Sequence, residues 1–109
     1  MNLYMAKSAT HGFGLFSNKL LNPEENIAQV FKRINNTGVF TNDFRETPFG
    51  RATNHSDNPN AKIVVEADGI YLLAGKEIKA REEITASYHE LIALFNNDPT
   101  LIKLIRFWK

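Results

Sequence analysis

The chain has 109 residues, 43% of them apolar and 23% charged, with 13 Lys and Arg against 12 Asp and Glu and no cysteine. This ordinary globular usage excludes a disordered or fibrous chain, and the length suits a single hydrophobic core. Near-neutral charge without a dense basic run argues against nucleic acid or anionic lipid as a partner, and the missing cysteine removes disulfides, thiolate nucleophiles and cysteine-ligated zinc.

Met1 to Lys7 lacks the charged and apolar regions of a signal peptide, and no apolar run approaches the roughly 20 residues that span a bilayer, so the expected location is intracellular. Leu3 to Ala6 and Gly14 to Phe16 flank Ser8-Ala9-Thr10-His11-Gly12, which predicts an opening hairpin with a glycine available for positive φ. Asn22-Pro23-Glu24-Glu25-Asn26 reads as a turn before a strand over Ile27 to Ile34, and Asn35-Asn36-Thr37-Gly38 as the next turn. Asp43 to Arg51 is expected to be irregular, because Pro48 and Gly50 interrupt either kind of regular structure.

Ala61, Ile63 and Val65 alternate onto one face of a strand over Ala61 to Glu66, and Asp68-Gly69 before Ile70 to Ala74 signals a hairpin. Glu83 to Tyr88 reads as a last short strand. Two short helices should follow as a cover over the β-rich body. Leu91, Ile92, Leu94 and Phe95 fit an apolar helical face ended by Asn96-Asn97. Asp98 then caps a second helix, with Pro99 at its first position and an apolar stripe of Leu101, Leu104, Ile105 and Trp108.

Three motifs occur in order within this short chain: His11-Gly12-Phe13-Gly14-Leu15-Phe16, Arg51-Ala52-Thr53-Asn54-His55-Ser56-Asp57-Asn58-Pro59-Asn60, and Glu82-Glu83-Ile84-Thr85-Ala86-Ser87-Tyr88. In this combination the chain resembles the SET family of protein lysine methyltransferases. The resemblance covers Ser8 to Tyr88, and in length the chain is similar to the small virus-encoded members, which carry the SET core with almost nothing around it. It implies a mainly β fold, the SET-type β-clip of short strands, with the stretch from Arg51 to His55 threaded beneath another segment as a pseudoknot. Residues 1–109 then form one SET-like domain, with residues 89–109 as its helical C-terminal cover.

The activity implied is transfer of a methyl group from S-adenosylmethionine to a lysine ε-amine of a histone or another host or viral protein, leaving S-adenosylhomocysteine. The resemblance assigns Gly12, Phe13 and Gly14 to one wall of the cofactor site, mostly through main chain, and adds Arg51, Asn54 and His55. Asn58-Pro59-Asn60 is expected to shape the turn that leaves the site. Trp108, with Phe107 beside it, is a candidate to pack on adenine or wall the lysine channel.

Tyr88 is assigned the catalytic position. Methyl transfer needs a neutral amine aligned with the methyl–sulfur bond, and a phenol there can hydrogen-bond the amine while its electron-rich face attracts the sulfonium. It need not be the proton acceptor, since Tyr and Lys share a reference pKa of about 10. Water is the better acceptor, and desolvation disfavours the charged lysine.

Glu82 and Glu83 are neighbours on a strand and face opposite ways, so they are expected to orient turns or surface contacts rather than act as an acid–base pair. His11, His55 and His89 are far apart in sequence and have no cysteine companions, so no metal is expected. The chain departs from the family pattern at Asp57, where many members carry Cys. Ala52 and Thr53 stand in place of bulky Phe and Ile, and Arg81 stands where glycine usually precedes the double glutamate. The variable insert, between Ile34 and Phe49, is short. The C-terminal apolar stripe suggests a homodimer, and the alternative to an enzyme is a catalytically silent SET-like module for protein interaction.

Overall fold

The computed structural model describes residues 2–33, 44–87, 89–91 and 93. The Asn35–Gly38 turn, Tyr88 and the second C-terminal helix with Phe107 and Trp108 lie outside the described residues, as do Ile92, Leu94 and Phe95 of the first.

The fold is mainly β, as expected of the SET β-clip. β1 (Leu3–Lys7) and β2 (Phe13–Ser17) form the opening hairpin, paired antiparallel from Leu3 with Ser17 to Lys7 with Phe13. Tyr4 and Phe16 sit opposite each other in that register, and their rings stack with centroids 5.6 Å apart. β3 (Asn26–Arg33) matches the expected strand. β6 (Ala61–Glu66) and β7 (Gly69–Ala74) form the second hairpin. Its two-residue loop is Ala67-Asp68, since Gly69 already pairs with Glu66. The glycine is required for another reason: at φ +155° its missing Cβ leaves room for the carbonyl of Phe31, which an alanine methyl would approach to 2.2 Å.

From Phe44 to Arg51 the structure corrects the sequence expectation. β4 (Phe44–Glu46) pairs with β3, and α1 (Pro48–Ala52) follows directly. Pro48 opens the helix instead of breaking it, because the N–H at the first helical position makes no intrahelical hydrogen bond that proline could forfeit, and its φ suits proline. Thr47 caps the turn: its Oγ1 accepts from Gly50 N at 3.2 Å and donates to the Gln29 carbonyl at 2.6 Å, which fastens the helix start to β3. Gly50 faces the Val30 carbonyl so closely that a Cβ would stand 2.2 Å from the oxygen.

β5 (Asn54–His55) runs parallel to β8 (Glu83–Ala86), and the two sheets have the orders β1-β2-β8-β5 and β4-β3-β7-β6. An antiparallel bridge between Leu21 and Ile78 ties the intervening turns together. Between the sheets lies a core that includes Leu15, Val30, Phe31, Ile70, Leu72, Ile78 and Ile84, all with no exposed surface. Val30 and Phe31 are both buried although adjacent on one strand. The ladder to β7 slips between Gln29 and Phe31, and this bulge inserts an extra residue that returns Phe31 to the core side. Ala61 and Ile63 are buried as their alternation requires, whereas Val65 at the strand end is exposed.

After β8, residues 89–91 and 93 are helical. Ser87 starts this helix by accepting from Glu90 N at 3.2 Å, Leu91 enters the core, and Glu90 Oε1 accepts from Ile63 N at 2.8 Å. The first expected C-terminal helix therefore docks on β6 through its opening turn.

Candidate active site

The turn between β1 and β2 is built by one hydroxyl. Ser8 Oγ accepts from the amides of Thr10 and His11 at 3.0 and 3.3 Å, while Ser8 N donates to the Gly12 carbonyl at 2.7 Å. Short-range side-chain bonding of this kind lets a serine organise a loop that has no ladder. Gly12 takes φ +49°, and the space where a Cβ would stand is open.

Across from this turn stands the C-terminal end of α1. The two enclose a cleft of about 450 Å³ lined by Met5, His11, Gly12, Phe13, Pro48, Arg51, Ala52 and Asn54. Such a volume lies in the range of small-molecule sites, which are mostly apolar with a few fixed polar groups. Phe13 is 70% exposed and Met5 51%, so the rim presents apolar surface to solvent. Arg51 supplies a cation from the last turn of α1, with Nε 3.8 Å from Glu46 Oε1, and among the described residues no carboxylate lines the cleft.

Asn54 is the hinge of the arrangement. Its side chain is buried, and Nδ2 donates to the carbonyls of His11 at 2.8 Å and Phe13 at 3.1 Å and to Glu83 Oε2 at 2.9 Å. Two N–H bonds serve three acceptors, so the longest is shared. The other carboxylate oxygen of Glu83 accepts from Ser8 Oγ at 2.7 Å. Glu83 has room to reach them because Gly14 lacks a side chain; an alanine Cβ there would lie 2.5 Å from Oε2. In the register of β2 and β8, Phe16 is opposite Glu83, and Gly14 is two residues along the same face.

Of the residues assigned from sequence, Gly12, Phe13, Arg51 and Asn54 meet at this cleft. Gly14 is buried behind it against Glu83. The imidazole of His55 turns instead to Asp57, Nε2 to Oδ1 at 2.9 Å. Tyr88 and Trp108 lie outside the described residues. Ala52, within the Arg51–His55 stretch, also lines the cleft, as do Met5, His11 and Pro48, which were not assigned to the cofactor site, and Ser8 and Glu83 hold it together from behind. The Ser8-Ala9-Thr10 sequence ahead of Gly12 carries a turn signal, and Glu83, expected to orient turns or surface contacts, holds the Ser8 turn; its partners, 29 and 75 positions away, are not marked locally.

Asn60, in the turn leaving β5, extends the β8 ladder with its amide. Oδ1 accepts from Thr85 N at 2.9 Å and Nδ2 donates to the Glu83 carbonyl at 2.8 Å. Arg81 takes the left-handed conformation at φ +69°, so the turn into β8 keeps a geometry that favours glycine with an arginine in place.

Two groups with displaced titration lie away from the cleft. Lys19 Nζ, 2.8 Å from Glu25, and the amide of Asn22 hold the Glu25 carboxyl below its ordinary range. The Tyr71 hydroxyl donates to Asp68 at 2.8 Å, which holds the phenol above its own.

The SET domain family model matches residues 30–89, more than half of the chain. No curated protein matches the sequence significantly. Among solved structures, a candidate histone methyltransferase of Plasmodium falciparum is similar with a TM-score of 0.64 at 22% identity, over 80% of this chain and 92% of that one. The methyltransferase domain of the human histone-lysine N-methyltransferase SETMAR is similar with a TM-score of 0.58 at 15% identity, over 79% of this chain and 44% of that one. At such identities the structural likeness speaks for the fold, and the family match and the β-clip arrangement agree: this chain belongs to the SET domain family.

Proposed function

We propose that the chain is an S-adenosylmethionine-dependent protein-lysine N-methyltransferase, a minimal SET enzyme of the kind that virus-encoded members represent. The observation that carries this reading is the cleft between the Ser8–Gly12 turn and α1, with Asn54 locking one wall. Its residues suit the cofactor. Phe13, Met5, Pro48 and Ala52 offer apolar surface to an adenine or a thioether chain, Arg51 offers charge to a carboxylate, and Gly12 opens the backbone to close approach.

When bound, S-adenosylmethionine supplies a methyl group activated on a sulfonium. The protein's part is alignment and exclusion of water. In this proposal Tyr88, two residues beyond the end of β8, hydrogen-bonds the incoming amine, and the family motif Glu82 to Tyr88 supports that role. The substrate is a lysine of a histone or another protein. Gly14 and His55 contribute through the backbone, Trp108 closes the site from the C-terminal cover, and the C-terminal stripe pairs two copies in solution, which sedimentation showing monomer alone at high concentration would remove.

Calorimetric titration with S-adenosylmethionine is expected to give one site per chain. Labelled cofactor incubated with histones and with lysate then marks lysines that mass spectrometry can place. Absence of cofactor binding would instead leave a silent SET-like interaction module.

A further inference from the structure

His55, Asp57 and His89 come together at the far end of β5, away from the cleft. Nε2 of His55 is 2.9 Å from Oδ1 of Asp57, Nε2 of His89 is 3.9 Å from the same oxygen, and each residue offers a ligand atom within 4.8 Å of the other two. The imidazole rings meet edge to face with centroids 5.8 Å apart. Sequence spacing does not show this cluster, since 34 positions separate the two histidines. The parallel pairing creates it. His55 is opposite Ala86, so both strands leave the sheet in the same direction, Asp57 two residues past His55 and His89 three past Ala86.

Both exits are held. Ser56 N donates to the Ala86 carbonyl at 3.0 Å, and Ser56 Oγ accepts from Asn58 N at 3.0 Å, which folds the loop carrying Asp57. His89 lies between Ser87, bonded to Glu90 N, and the buried Leu91. The donors are thus fixed through their backbones on two sides of one small gap.

Two imidazole nitrogens and one carboxylate oxygen form a ligand set of intermediate hardness. It suits Zn²⁺, whereas Ca²⁺ and Mg²⁺ prefer all-oxygen cages and Cu⁺ prefers sulfur. Bonds of about 2.0–2.1 Å from a tetrahedral Zn²⁺ put its ligand atoms about 3.3–3.5 Å apart. The observed 2.9 and 3.9 Å bracket that spacing, and with all three ligand atoms within 4.8 Å of one another, side-chain rotation closes the set onto the ion. Asp57 is 87% exposed and His89 76%, so the ion has a path in and water can take the fourth position.

We propose that His55, Asp57 and His89 form a Zn²⁺ site that staples the loop after β5 to the helix after β8. The metal replaces the His55–Asp57 hydrogen bond and draws His89 onto the same carboxylate. Because His89 directly follows Tyr88 in sequence, the staple also restrains the chain next to the residue proposed for methyl transfer. That consequence rests on the proposed function; metal binding does not.

The test is titration of the untagged chain with zinc chloride alone, without cofactor or substrate. One Zn²⁺ per chain is expected. Asp57→Asn and His89→Gln should each lower the affinity about tenfold or more, while His11→Gln, which removes the third histidine, leaves it unchanged. On the wild-type chain, zinc should shift the imidazole NMR signals of His55 and His89 and spare those of His11, a readout that needs no variant to fold. The proposal is overturned by absence of zinc binding, by binding that survives both cluster variants, or by shifts confined to His11.

Discussion

Asn54 Nδ2 stands 2.9 Å from Glu83 Oε2, and this contact joins all three motifs of the chain. Through the same nitrogen Asn54 holds the carbonyls of His11 and Phe13, and through its second oxygen Glu83 holds Ser8. Glu83→Ala should therefore destabilise the protein by about 1–3 kcal/mol, since Ser8 Oγ loses its carboxylate acceptor and Asn54 its charge-assisted hydrogen bond. Glu83→Gln sets an amide donor or a rotated oxygen against Asn54 and Ser8 and should cost less. Denaturant titration measures both, and S-adenosylmethionine affinity should fall in parallel because the turn over the cleft loosens.

Two positions with opposite demands for glycine should respond with opposite signs. Gly50→Ala drives a methyl into the Val30 carbonyl, which as backbone cannot yield, and should cost about 3 kcal/mol or more. Arg81→Gly relieves a left-handed residue and should add up to about 1 kcal/mol once the greater freedom of glycine in the unfolded chain is subtracted. Thermal melts of the two variants should move in opposite directions.

Removal of one oxygen from Tyr88 separates alignment from folding. Tyr88→Phe should leave the melting temperature and cofactor affinity within error of wild type and lower kcat by about 10²-fold or more. Unchanged turnover would remove the phenol from the reaction.

Stability at acid pH should carry a small contribution from Glu25. Its carboxyl titrates below the ordinary 4.5 in the folded chain because Lys19 and the Asn22 amide favour the charged form. The stabilisation is complete above that ordinary value and disappears as pH falls through the lowered folded one. Melting temperatures of wild type and Glu25→Gln should differ slightly at pH 7 and converge once the pH falls below the lowered folded value. A gap that persists there would exclude the ion pair as its cause, and because the pair is exposed the gap should shrink in high salt.

The sequence by itself determined the elements whose reasons are local. Alternating apolar residues and short turn signals were enough for the hairpins β1–β2 and β6–β7, for β3 and for the start of β8, which ends at Ala86 because Ser87 already begins the next helix, and the three motifs were enough for the family. Local reading failed at Pro48 and Gly50, where the meaning of each residue depends on what surrounds it: proline breaks a helix within it and begins one at its first position, and Gly50 is small because Val30 lies against it. Asn54 was legible as important, yet the carboxamide's partners, His11, Phe13 and Glu83, depend on which strands pair. Only the tertiary structure decided these, as it decided the meeting of His55 with His89, because a parallel β5–β8 contact joins residues about thirty positions apart that no short-range pattern connects.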